Sequence, residues 1–205
     1  MKIIGLTGSI AAGKSTVAGW INELGIVTHD SDRAVHELLG PGGRAVKDVL
    51  KNFGSHLGSV SIGVDRILLG DEVFAAPQKR KTLESILHPM LRQHRDSFIA
   101  QHLKSNTEVV VLDVPLLFET GTDAICDYVI VVYASDKTIA RRALARTGMT
   151  KDKLASILAA QMPTIDKKKL ADLALDSDIP KDETRNHLIG WLSEIGLSII
   201  RGESG

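Results

Sequence analysis

Residues Gly8 to Ser15 read Gly-Ser-Ile-Ala-Ala-Gly-Lys-Ser: a glycine, four residues, a second glycine, a lysine and a hydroxyl. That order is what a triphosphate tail asks of a polypeptide. Glycines permit a tight turn whose successive amide N–H groups converge on phosphate oxygens. The lysine that follows reaches the β and γ phosphates, and the serine hydroxyl can meet Mg²⁺. Gly8, Ala11, Ala12, Gly13, Lys14, Ser15 and Thr16 are therefore the expected nucleotide-binding residues, with Lys14 also acting on the transferred group and Ser15 a candidate metal ligand. The bland alternative is a glycine turn with a surface lysine. Context argues against it: Lys2 to Leu6 reads as a strand and Ser15 to Leu24 as a helix, so the loop falls where the mechanism needs it and the helix start adds positive potential.

Carboxylates and cations recur at chemically useful places. Asp30 and Asp32 follow a second strand, Ile26 to His29. Ligands of open α/β sheets bind beyond the carboxyl ends of the strands, so this pair is expected to face the γ-phosphate region. One of the two can instead cap the helix that begins near Ser31; capping is assigned to Asp30 and proton acceptance from a substrate hydroxyl to Asp32. Asp113 ends a hydrophobic strand, where a carboxylate holds Mg²⁺ or its water shell, although it can also only cap the turn before Pro115. Arg142 and Arg146 are one helical turn apart and can share a face toward a transferring phosphoryl group; the alternative is a solvated cationic face.

The elements that position these groups alternate. Buried strands are expected at Glu108 to Asp113 and Tyr128 to Val132, nearly continuous in Val, Ile and Leu, with Leu173 to Leu175 as a weaker strand and Leu197 to Ile200 as a terminal one. Strands alternating with helical segments mean an α/β fold with a parallel sheet. Between residues 31 and 105 the pattern is helical, in Ser31 to Leu39, Arg44 to Phe53 and Lys79 to Leu103, which is too long for one crossover and points to a helical subdomain. Asp136 to Ala160 is again expected to be helical. His88-Pro89 reads as the end of one helix and the start of another. Lys167 to Lys169 are expected on a solvated helix face, and Cys126 as a small core residue.

Composition narrows the function. Of 205 residues, 25 are Lys or Arg and 25 Asp or Glu; this balance gives no global grip on nucleic acid or an anionic membrane. One cysteine excludes an internal disulfide and a multi-Cys zinc site, so a cytoplasmic protein is expected. The apolar runs near Val109 and Tyr128 are far below the roughly 20 residues of a membrane span, and the opening run is too brief for a secretory signal. The chain lacks the Asn-Lys-x-Asp segment of guanine-specific switches and the Leu-Ser-Gly-Gly-Gln signature of transport ATPases. A small-molecule kinase fits better. Another nucleoside or nucleotide kinase, or a nucleotide-dependent binding switch, stays open at this point.

Taken together, Gly5-Leu6-Thr7-Gly8 through Ser15-Thr16, Asp30-Ser31-Asp32, His88-Pro89-Met90-Leu91-Arg92, Asp113 through Glu119, Arg142 to Arg146 and Ala160-Gln161 resemble the dephospho-coenzyme A kinase family in order and spacing. The resemblance implies ATP-dependent phosphorylation of the ribose 3′-hydroxyl of dephospho-CoA. It also implies a P-loop kinase core with a five-stranded parallel sheet flanked by helices (about 1–30 and 106–205), a helical CoA-binding subdomain (about 31–105) and a lid (about 136–150). Asp32 matches the family's base. His88, Pro89 and Arg92 lie on its acceptor side, with Leu117 and Glu119 in a segment that shapes the acceptor pocket. Arg142 and Arg146 match its lid. Two departures stand out: Ala11 and Ala12 replace the usual Gly and Ser, so Ala11 is expected to avoid a positive φ, and Asp176-Ser177-Asp178 replaces an Asn- and Gly-containing turn on the adenine side.

Overall fold

A computed structural model describes residues 1–74 and 76–197. The first unit comprises residues 1–29 and 102–205 and is built on strands β1 (Lys2–Gly8), β2 (Val27–Asp30), β5 (Val109–Asp113), β6 (Tyr128–Tyr133) and β7 (Leu173–Asp176), in the spatial order β2-β5-β1-β6-β7. The β1–β5, β1–β6 and β6–β7 pairings are parallel: Lys2 lies opposite Val109, Ile4 opposite Tyr128 and Ile130 opposite Leu173. All five residues of β5 are buried, as a strand covered on both faces requires, and this is why its sequence is apolar without alternation.

The two faces can be told apart by parity. Ile130 and Val132 pack with Ile4, Leu6, Ile21, Leu175, Leu188 and Leu192 beneath helices α1 (Lys14–Glu23) and α9 (Lys181–Glu194), whereas Val129 and Val131 pack with Leu117 on the other face. Tyr128 meets Trp191 edge to face at 5.6 Å between ring centroids. The expected five-stranded parallel sheet is therefore present, while the strand expected at Leu197 to Ile200 falls outside the described residues beyond Leu197.

The helical stretch expected from Asp136 to Ala160 is in fact two helices, α6 (Asp136–Leu144) and α7 (Lys151–Ala160). Gly148 takes φ +76° between them, and Ser135 and Thr150 cap them by accepting from the amides of Thr138 and Lys153. Helix α8 (Thr164–Leu170) follows.

The second unit, 30–101, contains α2 (Ser31–Leu39), α3 (Val46–Phe53), a hairpin of β3 (Gly58–Ser59) and β4 (Gly63–Val64), α4 (Arg66–Phe74) and most of α5 (Pro77–Lys104). Leu38, Leu39, Val46, Val49, Phe53, Leu57, Val64, Leu69 and Leu87 form its own core. Pro89 was expected at a helix boundary but lies inside α5. Its ring is exposed, so water can serve the Ser85 carbonyl that the missing N–H leaves without a helical partner.

Candidate active site

The segment 8–15 joins the C-terminal end of β1 to the start of α1. A Cβ on Gly8 would stand 2.4 Å from the Val132 carbonyl oxygen, so only glycine fits beside β6. Gly13 caps α1 with φ +99°, no side chain serves its first-turn amides, and no acidic residue occupies that turn. The positive end of the helix is thus left to a ligand's negative charge. Ala11 does not avoid a positive φ, as expected from its type, but adopts +58°. The left-handed backbone costs an L-residue about 1–2 kcal/mol. Its methyl is buried with Ala143 and Leu154, beside Ile10, Ala140 and Met149, and this packing against α6 and α7 holds the conformation.

Because β5 is hydrogen-bonded beside β1, Asp113 comes opposite Leu6, just before the loop. Its carboxylate is buried and forms an ion pair with the Lys14 ammonium. Ser15 and Thr16 at the start of α1 are exposed. Lys14, Ser15 and Asp113 are thus gathered beyond the carboxyl ends of the inner strands β1 and β5.

Arg142 is drawn to the same place from α6. Its guanidinium donates to the Ser177 hydroxyl at 2.8 Å and the Ser177 carbonyl at 2.9 Å. A Cβ built on Gly13 would lie 3.4 Å from the Ser177 Cβ and 3.8 Å from Arg142 Nη1, so arginine, serine and the loop are neighbours. The departing turn at 176–178 has its own order. Asp178 accepts from the Ser135 amide at 2.7 Å, its own amide donates to Asp176 at 2.8 Å, and Thr184 donates to the Asp176 carbonyl at 2.8 Å. The hydrogen bonds from Ser135 hold the Asp178 carboxyl below its usual range, with Thr138 and the Arg142 charge adding to the effect. Arg146 lies beyond the end of α6 with an exposed side chain, so it does not continue the α6 face that carries Arg142.

One expectation for the neighbouring segments changes, and two side chains are engaged within the chain. Leu117 has no exposed surface and packs under the sheet with Val129 and Val131. Glu119 Oε1 is engaged within the chain, accepting from the Met162 amide at 2.6 Å and facing Lys167 Nζ at 2.9 Å. Lys167, expected in solvent, is fully buried. The loop also has partners that sequence reasoning missed: the Ile10 amide donates to Gln161 Oε1 at 3.1 Å, and Ser9 and Thr164 hydroxyls meet at 2.9 Å. Short polar residues carry no periodicity, and nothing in the sequence pairs positions so far apart.

In the second unit, Asp30 caps α2 by accepting from the Arg33 amide at 3.0 Å. Asp32 lies in the first turn of α2, exposed and not used as the cap. His88 and Arg92 are four residues apart on α5 and share a face, next to Pro89.

A phosphate loop with a buried carboxylate on its lysine is common to many kinases, and comparison with known proteins separates them. A profile of the dephospho-CoA kinase family matches residues 2–182. A dephospho-CoA kinase of Paramagnetospirillum magneticum is 48% identical over 164 residues, 80% of this chain and 76% of the relative. One of Mesorhizobium japonicum is 42% identical over 206 residues, covering all of both chains. The solved structure of the dephospho-CoA kinase of Campylobacter jejuni, 26% identical, superposes with a TM-score of 0.70 over 95% of this chain and 98% of that one. With the family profile, the relatives and the superposed structure agreeing along nearly the whole length, the chain belongs to the dephospho-CoA kinase family.

Proposed function

We propose that the protein transfers the γ-phosphoryl group of ATP to the ribose 3′-hydroxyl of dephospho-CoA, yielding CoA and ADP as the last step of CoA biosynthesis. The observation that carries the reading is the uncapped loop-to-helix junction at Gly13 with Lys14 paired to Asp113, in a chain of this family. The loop amides and Lys14 neutralise the triphosphate, and Arg142 adds charge from α6, so transfer depends on position and electrostatics, without a covalent enzyme intermediate. Asp32 accepts the proton of the attacking hydroxyl. The 30–101 unit, with His88, Pro89 and Arg92, binds the acceptor; α6 and the turn to Thr150, with Arg146, act as a lid that excludes water.

Ser15 and Asp113 offer hard oxygen donors, the chemistry Mg²⁺ prefers, and among the described residues no group of three or more potential ligands forms a dedicated cage. This fits an ion carried mainly by phosphate and water. Ser15 and Asp113 would hold Mg²⁺, which would supply positive charge against the phosphate oxygens. No described helix is long and apolar enough to cross a membrane. The reading places the reaction in the cytoplasm, with no need of nucleic acid or a membrane.

The test is incubation with Mg-ATP and dephospho-CoA, AMP, CMP or no acceptor, following ADP and CoA. CoA formation supports the reading; stimulation by AMP or CMP alone points to a nucleotide kinase, and slow acceptor-independent hydrolysis to a switch. Lys14→Ala should abolish transfer. Asp32→Asn should lower kcat by about 10²–10⁴-fold, the span of general-base catalysis, with ATP binding intact; wild-type turnover would remove Asp32 from its role.

A further inference from the structure

Among the described residues the largest fully buried side chain is a cation, Lys167. Its ammonium faces Glu119 Oε1 at 2.9 Å and donates a long hydrogen bond, 3.5 Å, to the Pro115 carbonyl. The same Glu119 oxygen accepts from the Met162 amide. One carboxylate thus ties both ends of the segment 162–167. Within and beside that segment lie the two residues that grip the outer side of the phosphate loop, Thr164 on Ser9 and Gln161 on the Ile10 amide. The Pro115 carbonyl also accepts from the Thr7 hydroxyl at 3.0 Å, one residue before the loop. A buried ion pair is seldom more stabilising than apolar side chains of the same size, so stability alone does not explain a lysine here. What an ion pair supplies and a leucine does not is direction.

We propose that Lys167 is a positioning residue for the nucleotide: through Glu119 it fixes the 161–167 segment, which in turn sets the first half of the phosphate loop. The inference rests on the kinase reading and deepens it by assigning Lys167, Gln161 and Thr164 to the ATP side of the reaction and Glu119 to their support.

The experiment compares Lys167→Met, Gln161→Ala and their combination. It measures ATP affinity by calorimetry and KM for ATP and dephospho-CoA by initial rates, after circular dichroism has established folding. Losing a charged hydrogen bond corresponds to roughly 10- to 100-fold; Lys167→Met should raise Kd and KM for ATP by about that factor, with KM for dephospho-CoA unchanged within about twofold. Gln161→Ala should raise the same constants about 3- to 10-fold, and the combined variant should be less than additive because both act through one segment. Glu119→Gln added to Lys167→Met should recover part of the loss, since it removes the carboxylate charge that Lys167→Met leaves without its cation.

A folded Lys167→Met with native ATP constants, an effect confined to dephospho-CoA, or strict additivity overturns the proposal. If Lys167→Met does not fold, Gln161→Ala and Thr164→Val decide, and native ATP affinity in both overturns it. If the native protein makes no CoA, the kinase reading falls, while the calorimetric ATP affinities still decide this inference.

Discussion

Replacing Ala11 and Ala12 by glycine, one at a time, isolates the strain in the phosphate loop. Both methyls are buried, with Ala11 9% and Ala12 0% exposed, but only Ala11 has a positive φ, +58°. Deleting a buried methyl costs about 0.8 kcal/mol, and the added freedom of the unfolded chain costs about 0.4–1 kcal/mol more. Ala12→Gly should therefore destabilise by about 1.5 kcal/mol. At Ala11 the same losses are offset by release of about 1–2 kcal/mol of left-handed backbone strain, leaving a net change near zero. For a chain of this size each kcal/mol moves Tm by about 2–4 °C. Ala12→Gly should then lower Tm by about 3–6 °C and Ala11→Gly by no more than about 2 °C. Scanning calorimetry without nucleotide is the assay, because bound ATP would add its own stabilisation. Equal falls in the two variants would refute the reasoning, since the only term that separates them is the backbone conformation.

Two further outcomes follow from the site. Arg142→Ala removes both bonds to Ser177 and the charge beside Gly13, so KM for ATP should rise about tenfold or more, the scale of a charged hydrogen bond, while KM for dephospho-CoA holds; steady-state kinetics with each substrate varied decides it, and an unchanged ATP KM removes Arg142 from the site. Asp178 has a folded pKa depressed from 3.8 by its hydrogen bonds to Ser135, so its contribution is complete above the unfolded value and is lost as pH falls through the lower folded one. Thermal melts from neutral pH to below 3.8 should lose stability less steeply in Asp178→Asn than in the native protein; parallel curves would contradict the assignment.

The strands were legible because parallel strands buried on both faces leave uninterrupted apolar runs, as in Val109 to Leu112 and Val129 to Val132. The phosphate loop was legible for a different reason: its chemistry fixes residue types at fixed spacing. What escaped the sequence depends on distant contacts. Nothing local marks Ala11 for a left-handed backbone; the packing of α6 and α7 supplies the reason. Three consecutive lysines look alike, yet successive residues on a helix point about 100° apart, and one of them, Lys167, is turned inward to Glu119. The division of residues 136–160 into two helices has local signals in Gly148 and Thr150, but the helix-forming arginines Arg141, Arg142 and Arg146 run up to the break and mask them. The β3–β4 hairpin is too short for any period to show.

The strand order has a bearing on how the chain is made. Among the strands of this sheet the central one, β1, is made before the rest, yet both of its neighbours come much later: Lys2 waits for Val109 and Ile4 for Tyr128. Throughout that interval its ladder amides and carbonyls have no native strand partner, whereas residues 30–101 are contiguous and carry their own core. Synthesis therefore completes the middle unit, with its own core, before the sheet can close around its oldest strand.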